Sequence, residues 1–320
     1  MKPSQLLLSL AHGVLRRHDK GLQRSEKFMF AALEAETARL SKDVQPAPTG
    51  RNLVMGMATN FNKETIAPFV LSLRDNGYAG DIILLVSKPD EETALFYRRQ
   101  KVITKFYWDA HFIQVERQMA RYFSFFRVLR ELCDQGCVYD QVLIADTRDV
   151  VFQADPFASA HRVDIAAFNE EETMTIGRCP FNGRWVREGY GAAVFREMAA
   201  RPISNVGTVM GSGLGIMRYL LLLQAEAFRV AAPARNRLGV DQVAHNRLLV
   251  LNSISSFANG DHIWTLGYVP PEKVVLTPDH KIADVHGRVC PIVHQYDRHP
   301  QLKAFVAALY GERHKTASVR

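Results

Sequence analysis

Residues 141–157, QVLIADTRDVVFQADPF, decide the fold of this chain. The mostly apolar residues 141–145 are typical of a short strand buried on both faces, because such strands show a nearly continuous apolar run. Asp146 and Asp149 follow this strand, with Arg148 between them. In open α/β sheets, ligands bind beyond the carboxyl ends of the strands. The stretch therefore predicts a ligand site at the tip of this strand.

The segments before this strand alternate between predicted strands and predicted helices. Strands are predicted at 52–59 and 81–87, and helices at 64–76 and 89–99. A longer amphipathic helix is predicted over 112–133, where apolar residues recur at spacings of three and four. The order strand, helix, strand, helix, helix, strand predicts an α/β domain. Its sheet is expected to be mixed and mostly parallel, with helices on both faces.

The second half of the chain has a less regular pattern. Strands are predicted at 163–168 and 273–277, and helices at 213–228 and 240–250. Residues 205–213 contain three glycines and are interpreted as a glycine-rich turn before a helix.

Three parts are expected along the chain. Residues 1–50 are predicted to be a helical extension that ends in a proline-containing linker, residues 51–310 one α/β domain, and residues 311–320 a disordered tail. The extension is interpreted either as an appendage that packs on the domain or as a helix for peripheral membrane contact or homo-oligomer formation.

Composition restricts the classes of function. The chain has 320 residues, 47% of them hydrophobic, which is typical of a soluble globular protein. Its net charge of +7 favours anionic partners, but the basic residues are dispersed and no nucleic-acid-binding motif is present, so nucleic acid is not an expected partner. No segment reaches the roughly 20 apolar residues of a membrane span. The expected location is cytoplasmic, at most peripheral at the inner face of the membrane.

The four cysteines are too few and too irregularly spaced for a disulfide framework or a zinc site. They are interpreted as reduced structural thiols.

Asp146 and Asp149 are candidate ligands of a divalent cation. Carboxylate oxygens are ligands that Mg²⁺ and Mn²⁺ prefer, and such a cation can neutralise a diphosphate. The residues alone leave a second interpretation, in which one aspartate caps the following turn and the other pairs with Arg148. Which aspartate binds the cation directly also stays open.

This region resembles the DxD region of GT-A-fold nucleotide-diphospho-sugar transferases. In those enzymes an apolar strand runs into an acidic cluster that holds the metal and the diphosphate. The cluster here is D-T-R-D, which departs from a strict DxD. Residues 155–157 resemble the D-P-F turn that often follows, and Asp155 is interpreted as a structural turn residue. The resemblance implies a GT-A (Rossmann-like) fold and metal-dependent glycosyl transfer.

Two further motifs follow in the order found in these families. Asn205 and Gly207 resemble an N-x-G segment that lines the sugar pocket. Asp241 and Gln242, with Asn246, resemble the D-Q-x-x-x-N motif, whose acidic residue contacts the sugar or lies near the reaction centre. The residues alone also allow Asp241 to be an N-terminal helix cap.

A histidine near the C-terminus is the third predicted metal ligand. His294 ends a short apolar segment and resembles the C-terminal histidine that binds the metal in many GT-A enzymes. His286 is the competing candidate. Arg298, together with Arg121 and Arg127 on the long predicted helix, is a candidate for neutralising phosphate charge.

The resemblance thus implies a complete site. Asp146, Asp149 and His294 are expected to bind Mn²⁺ or Mg²⁺. The catalytic residues are expected to be Asp241, Gln242 and Arg148. The residues expected to bind the nucleotide-diphosphate sugar are Thr59, Asn60, Arg127, Asp146, Asn205, Gly207 and Arg298.

The implied activity moves a sugar from a nucleotide diphosphate to a hydroxyl of a glycan, lipid-linked or protein acceptor. Bacterial surface-polysaccharide or glycoconjugate synthesis is the expected setting. The alternative is a catalytically inactive GT-A-like binding or scaffold protein, which the departure from DxD favours.

Two other enzyme classes fit the residues poorly. Gly211, Gly213 and Gly215 form a G-x-G-x-G run, but the dinucleotide-binding fingerprint needs a strand before it, and residues 206–210 make a poor strand. A phosphatase with an aspartyl nucleophile would need an acid two positions after Asp146, where this chain has an arginine.

Overall fold

The computed structural model describes residues 35, 49–107, 117–158, 163–235 and 239–311. The twelve described strands are, in chain order, β1 (Asn52–Met57), β2 (Asp81–Val86), β3 (Val102–Phe106), β4 (Gln141–Ala145), β5 (Val150–Phe152), β6 (Ile165–Asn169), β7 (Ser204–Ser212), β8 (Ser255–Phe257), β9 (Ile263–Thr265), β10 (Val274–Leu276), β11 (Ile282–Asp284) and β12 (Ile292–His294). The seven described α-helices are α1 (Lys63–Asp75), α2 (Glu91–Arg99), α3 (Arg117–Asp134), α4 (Pro180–Met198), α5 (Gly213–Arg229), α6 (Val240–Val250) and α7 (Pro300–Gly311).

Seven strands form the central sheet, in the order β3-β2-β1-β4-β7-β6-β8. Neighbouring strands are parallel except where β7 pairs with β4 and β6, because β7 alone runs in the opposite direction. A three-stranded sheet, β5-β12-β9, and the pair β10-β11 stand apart from it. The carboxyl ends of β1, β4 and β6 therefore share one edge of the central sheet with the amino end of β7.

Both faces of the inner strands of the central sheet are buried, which explains their apolar sequences, whereas the edge strands β3 and β8 are largely exposed. Along β1, Leu53 and Met55 contact the core that includes residues of α3, α5 and α6, whereas Val54 contacts the core that includes residues of α1 and the three-stranded sheet. Alternate side chains of a strand point to opposite faces, so an apolar residue is needed at every position. The predicted α/β class, with a mixed and mostly parallel sheet, is confirmed.

The strands and helices predicted in the first half are confirmed within two residues, except that the start of the helix predicted over 112–133 lies outside the described residues, which resume at Arg117. Side-chain caps explain where two of the helices begin. Asn62 accepts a hydrogen bond from Thr65 N at the start of α1. Asp90 does the same for Thr93 N (2.7 Å), so α2 begins at Glu91 rather than at the predicted Pro89. The helices predicted at 213–228 and 240–250 correspond to α5 and α6.

The interpretation of residues 205–213 as a turn is wrong. Residues 204–212 form β7, a nine-residue strand that is buried almost throughout. Its glycines weaken the strand pattern in the sequence, but they permit close approach of neighbouring chain segments. A Cβ atom at Gly211, for example, would overlap the backbone oxygen of Asp164. The sequence also did not predict β3 and α4.

Parts of the sequence-based predictions lie outside the described residues. They include the helical extension 1–50, apart from residues 35, 49 and 50, and residues 312–320 of the predicted tail. Gly311 is the last residue of α7. All four cysteines carry free thiols. Among the described helices, none combines the length and the apolar character that crossing a membrane requires.

Candidate metal centre

The first element of the candidate site is the tip of β4 and the short strand that follows it. Asp146 comes directly after β4, and its backbone N donates to Gly207 O at 2.7 Å. Asp149 precedes β5, whose first residue, Val150, pairs with His294 of β12. The backbone N of Gln295 also donates to Asp149 O at 2.7 Å. The β5–β12 pairing therefore brings the C-terminal histidine to the tip of β4.

The three predicted metal ligands lie together. His294 Nε2 is 3.7 Å from Asp146 Oδ2 and 3.8 Å from Asp149 Oδ1. One ligand atom from each residue lies within 4.8 Å of the other two. His286, the competing candidate, is an exposed residue whose backbone N bonds to Asp284, and it is not part of this cluster.

The cluster fits a divalent cation. His294 is fully buried, yet neither of its ring nitrogens has a hydrogen-bond partner among the described residues. Buried polar atoms without a partner are rare in folded proteins. The distances of 3.7 and 3.8 Å around Nε2 are too long for hydrogen bonds, and they fall at the upper end of the roughly 3 to 3.8 Å that separates two ligands sharing one cation at about 2.1 Å. Two carboxylates and one imidazole therefore form a possible metal-binding triad.

The pKa values of the two aspartates in the cluster are shifted in opposite directions. Burial raises the pKa of Asp149, and the nearby Asp146 carboxylate raises it further. Burial also tends to raise the pKa of Asp146, but Arg121 and His294 outweigh it and hold that pKa below its usual range. Burial tends to lower the pKa of His294, but Asp146 and Asp149 outweigh this effect, so the pKa is raised overall. A cation bound here would replace the proton on His294 and offset the charge of Asp149.

Arg121 on α3 is the internal counter-ion of the site. Its guanidinium makes a short ion pair with Asp146 Oδ1, lies 3.4 Å from Asp241 Oδ2 and donates to Tyr122 Oη at 2.9 Å. Burial tends to lower the pKa of Arg121, but Asp146, Tyr122 and Asp241 raise it well above its usual value. The predicted role of Arg121 in neutralising phosphate stays a prediction, and within the chain its side chain is 11% exposed and pairs with two carboxylates.

Asp241 lies behind Arg121 rather than in the metal triad. Its Oδ2 faces Arg121, and its Oδ1 accepts from Gln242 N at 2.8 Å. The residue at the N-cap of α6 is Gly239, so Asp241 does not cap the helix. Burial raises the pKa of Asp241, with Arg121 acting in the opposite direction. Its predicted contact with the sugar stays a prediction. Within the chain, its carboxylate pairs with Arg121, which in turn pairs with Asp146.

Gln242 and Asn246 bind the backbone of β7. Gln242 Oε1 accepts from Val206 N (3.1 Å) and its Nε2 donates to Ser204 O (2.8 Å). Asn246 exchanges two hydrogen bonds with the backbone of Ser204, both 2.9 Å. These amides lie where the β6–β7 register shifts, after Ala167. Both ends of the Gln242 amide thus bind the backbone of β7, which gives the residue a structural role, and its predicted catalytic role stays a prediction.

Gly207 lies directly against the triad. A Cβ atom there would overlap Asp146 Oδ2 and would lie 2.8 Å from His294 Cε1 and 2.9 Å from Asn205 Oδ1. Its backbone N donates to Asn205 Oδ1 at 2.7 Å, which orients that amide. The sequence predicted that a glycine here allows close approach of a ligand, and in the structure Gly207 allows close approach of Asp146 and His294.

Gly207→Ala is expected to weaken Mn²⁺ binding by about 10- to 100-fold, comparable to the loss of an outer-shell partner of a metal site. The added methyl group must displace Asp146 or His294, and overpacking of this kind costs about 1–3 kcal/mol of unfolding free energy. Isothermal titration with Mn²⁺ and urea denaturation measure the two effects. Gly311→Ala, where a Cβ atom meets nothing within 4 Å, is the matched control and should change neither. Unchanged Mn²⁺ affinity in Gly207→Ala would contradict the geometry.

Two predicted arginines form an exposed rim near the triad. Arg148 and Arg298 are 63% and 57% exposed, and each lies 3.8 Å from a different carboxylate oxygen of Asp297. Both guanidinium groups therefore face solvent with a single shared acid between them. This arrangement suits an anion such as a diphosphate.

The other predicted donor-binding residues lie further from the triad. Thr59 and Asn60 follow β1, and Asn60 has a left-handed backbone (φ 59°) and bonds to Ser87. Arg127 lies on α3 and pairs with Glu131 at 3.9 Å. Thr59 and Asn60 share the carboxyl edge of the sheet with Asp146, because β1 and β4 are parallel neighbours. Their role in binding a nucleotide stays a prediction.

Sequence analysis missed Glu170, which follows β6 at the same edge of the sheet. Its side chain is buried, and Oε1 accepts from Asn205 Nδ2 at 2.6 Å. Burial raises the pKa of Glu170, although the hydrogen bond from Asn205 acts in the opposite direction. Glu170 begins a run of three glutamates, a pattern typical of exposed chain. Its position directly after a buried strand was the available signal.

The G-x-G-x-G run belongs to the opposite edge of the sheet. Gly211 pairs with Val142 near the start of β4, and Gly213 and Gly215 begin α5. A Cβ atom at Gly213 would overlap the backbone oxygen of Tyr139. These glycines therefore serve packing, far from the carboxyl edge where a dinucleotide would bind.

The chain matches no model of a known protein family, and the search of curated proteins gives no significant relative. The geometry at the tip of β4 is therefore the observation that bears most directly on function.

Proposed function

We propose that this protein is a metal-dependent glycosyltransferase of the GT-A type, which moves a sugar from a nucleotide diphosphate to an acceptor hydroxyl. The observation that carries the proposal is the convergence of Asp146, Asp149 and His294 at the carboxyl edge of a mostly parallel sheet. Its support is the resemblance of the same three residues to the metal ligands of that fold. The D-T-R-D cluster would function as the DxD of those enzymes.

Asp146, Asp149 and His294 would hold the metal. Mn²⁺ suits two carboxylates and an imidazole better than Mg²⁺, which favours an all-oxygen shell with several waters. When bound, the cation supplies positive charge that stabilises the departing nucleotide diphosphate. The fit rests on the unpartnered Nε2 of His294, which faces both carboxylates, and on the space left by Gly207.

The surrounding residues would prepare the site for an anionic donor. Arg121 holds Asp146 ionised and engages Oδ1, so that Oδ2 faces His294. Arg148 and Arg298 at the rim would bind the phosphates that extend from the triad. Asp241 would act on the site by orienting Arg121.

The acceptor would approach from the second half of the chain, which includes Gly207 of β7 beside the triad. A glycan, a lipid-linked saccharide or a protein with a free hydroxyl is the proposed acceptor class. Surface-polysaccharide or glycoconjugate synthesis is the proposed setting.

A thermal-shift and hydrolysis screen of nucleotide sugars tests this function. With Mn²⁺ present, one nucleotide diphosphate should raise the Tm by about 5–10 °C at 100-fold saturation. The corresponding nucleotide sugar should be consumed only with Mn²⁺, and EDTA should stop the reaction. Binding of a nucleotide sugar without any consumption, even when diverse hydroxyl acceptors are added, would favour the binding or scaffold alternative. No shift with any nucleotide would contradict both.

A further inference from the structure

Glu170 is a buried acid that the metal site does not use. It is 6% exposed and forms no ion pair with a described residue, although the charges of His294 and Arg298 act to lower its pKa. Burying a carboxylate without a counter-ion is costly, so a residue of this kind at a ligand site is a candidate for a chemical role. The Glu170 backbone is fixed, because its N donates to Ile203 O at 2.7 Å.

One oxygen of the Glu170 carboxyl group accepts a hydrogen bond from the protein, and the other accepts none from a described residue. Oε1 accepts from Asn205 Nδ2, and Asn205 Oδ1 accepts from Gly207 N, so the amide of Asn205 is oriented on both sides. Oε2 makes no hydrogen bond with any described residue. Oε1 therefore positions the carboxyl group while Oε2 can bind a substrate hydroxyl.

Glu170 lies along the sheet edge from the triad. Asp146 follows β4, Asn205 and Gly207 lie on the neighbouring β7, and Glu170 follows β6, the next strand. Asn205 links the two acids: its Nδ2 donates to Glu170 Oε1 at 2.6 Å, and its Oδ1 would lie 2.9 Å from a Cβ atom at Gly207 that would overlap Asp146 Oδ2. One amide side chain thus separates the Glu170 carboxyl group from the triad, where the donor would bind.

We propose that Glu170 is the catalytic base of the transfer, an inference that rests on the proposed function. The acceptor hydroxyl would give its proton to Glu170 Oε2, and its oxygen would form a bond to the anomeric carbon of the donor. The bond from that carbon to the diphosphate oxygen breaks, and its electron pair leaves with the nucleotide diphosphate. Asp241 is less suited to this step, because it is paired with Arg121 behind Asp146.

Glu170→Gln tests the assignment, because the amide retains the shape of the side chain and cannot take the proton. Transfer to the acceptor is expected to fall by at least about 100-fold, the lower range for a general base. Affinity for Mn²⁺, measured by titration, and the thermal shift with the nucleotide diphosphate should change less than about twofold, because the metal triad is intact. Glu172→Gln, at an exposed neighbouring position, is the matched control and should transfer normally.

Azide provides the second test. As an anion, azide attacks the anomeric carbon without losing a proton, so it should restore donor consumption in Glu170→Ala and yield a glycosyl azide. Near-normal transfer by Glu170→Gln, a loss of Mn²⁺ or nucleotide binding that accounts for the defect, or failure of azide to restore Glu170→Ala would overturn the assignment. If the wild-type protein shows no metal-dependent transfer, the proposed function fails, and the role of Glu170 fails with it.

Discussion

Asp149→Asn is expected to abolish tight Mn²⁺ binding and metal-dependent turnover while the fold stays intact. Asp149 is 6% exposed and supplies one of only three protein ligands in the triad. Loss of a ligand should exceed the roughly 10- to 100-fold effect of losing an outer-shell partner. Titration of Mn²⁺, followed by electron paramagnetic resonance of the free ion, measures the affinity directly.

The same variant should not destabilise the metal-free chain. Burial and the Asp146 carboxylate raise the pKa of Asp149, so its ionised form is disfavoured in the folded state and an amide removes that penalty. Above the folded pKa of Asp149, the unfolding free energy of Asp149→Asn in EDTA should equal or exceed that of the wild type. Asp297→Asn, next to the triad but outside it, is the control and should retain Mn²⁺ affinity. Equal Mn²⁺ affinity in Asp149→Asn and the wild type would remove Asp149 from the site.

Arg121→Met is expected to lower the free energy of unfolding by about 3–5 kcal/mol, the usual consequence of removing one partner of a buried ion pair. Arg121 separates Asp146 from Asp241, and its side chain is 11% exposed. Without it, two carboxylates on neighbouring elements are left buried with less compensation. Urea denaturation in EDTA measures the loss.

Two companion variants isolate the cause of that loss. Arg121→Met combined with Asp241→Asn should recover part of the stability, because one of the unpaired charges is also removed. Arg98→Met, at an exposed position of α2, should change stability by no more than about 0.5 kcal/mol. If the double variant is as unstable as the sum of its single changes, Arg121 acts through packing and not as the counter-ion of Asp241.

Asp146 and Asp149 could be predicted as candidate metal ligands from their position after an apolar run, whereas the resemblance to GT-A enzymes was needed to predict His294 as the third ligand. Asp146 follows the residues of β4, Asp149 precedes those of β5, and His294 ends β12. Apolar runs mark strands, and the ends of strands gather at sheet edges. The resemblance added the order of the residues along the chain.

Other parts of the site depended on contacts that no local pattern reveals. Gln242 and Asn246 match a sugar-contacting motif, but their side-chain amides form hydrogen bonds with the backbone of β7, where the β6–β7 register shifts. Arg121 was placed correctly on a helix, yet its two carboxylate partners come from β4 and α6. Gly207 weakened the strand prediction because it has no side chain. The same absence is needed in the structure, because a side chain there would occupy the space of the triad. Tertiary packing decides these roles.

Anomalous diffraction at the manganese edge, from crystals soaked in Mn²⁺, tests the central claim most directly. One peak is expected between Asp146 Oδ2, Asp149 Oδ1 and His294 Nε2, about 2.2 Å from each. Manganese bound elsewhere, with no peak at these three atoms, would contradict the account.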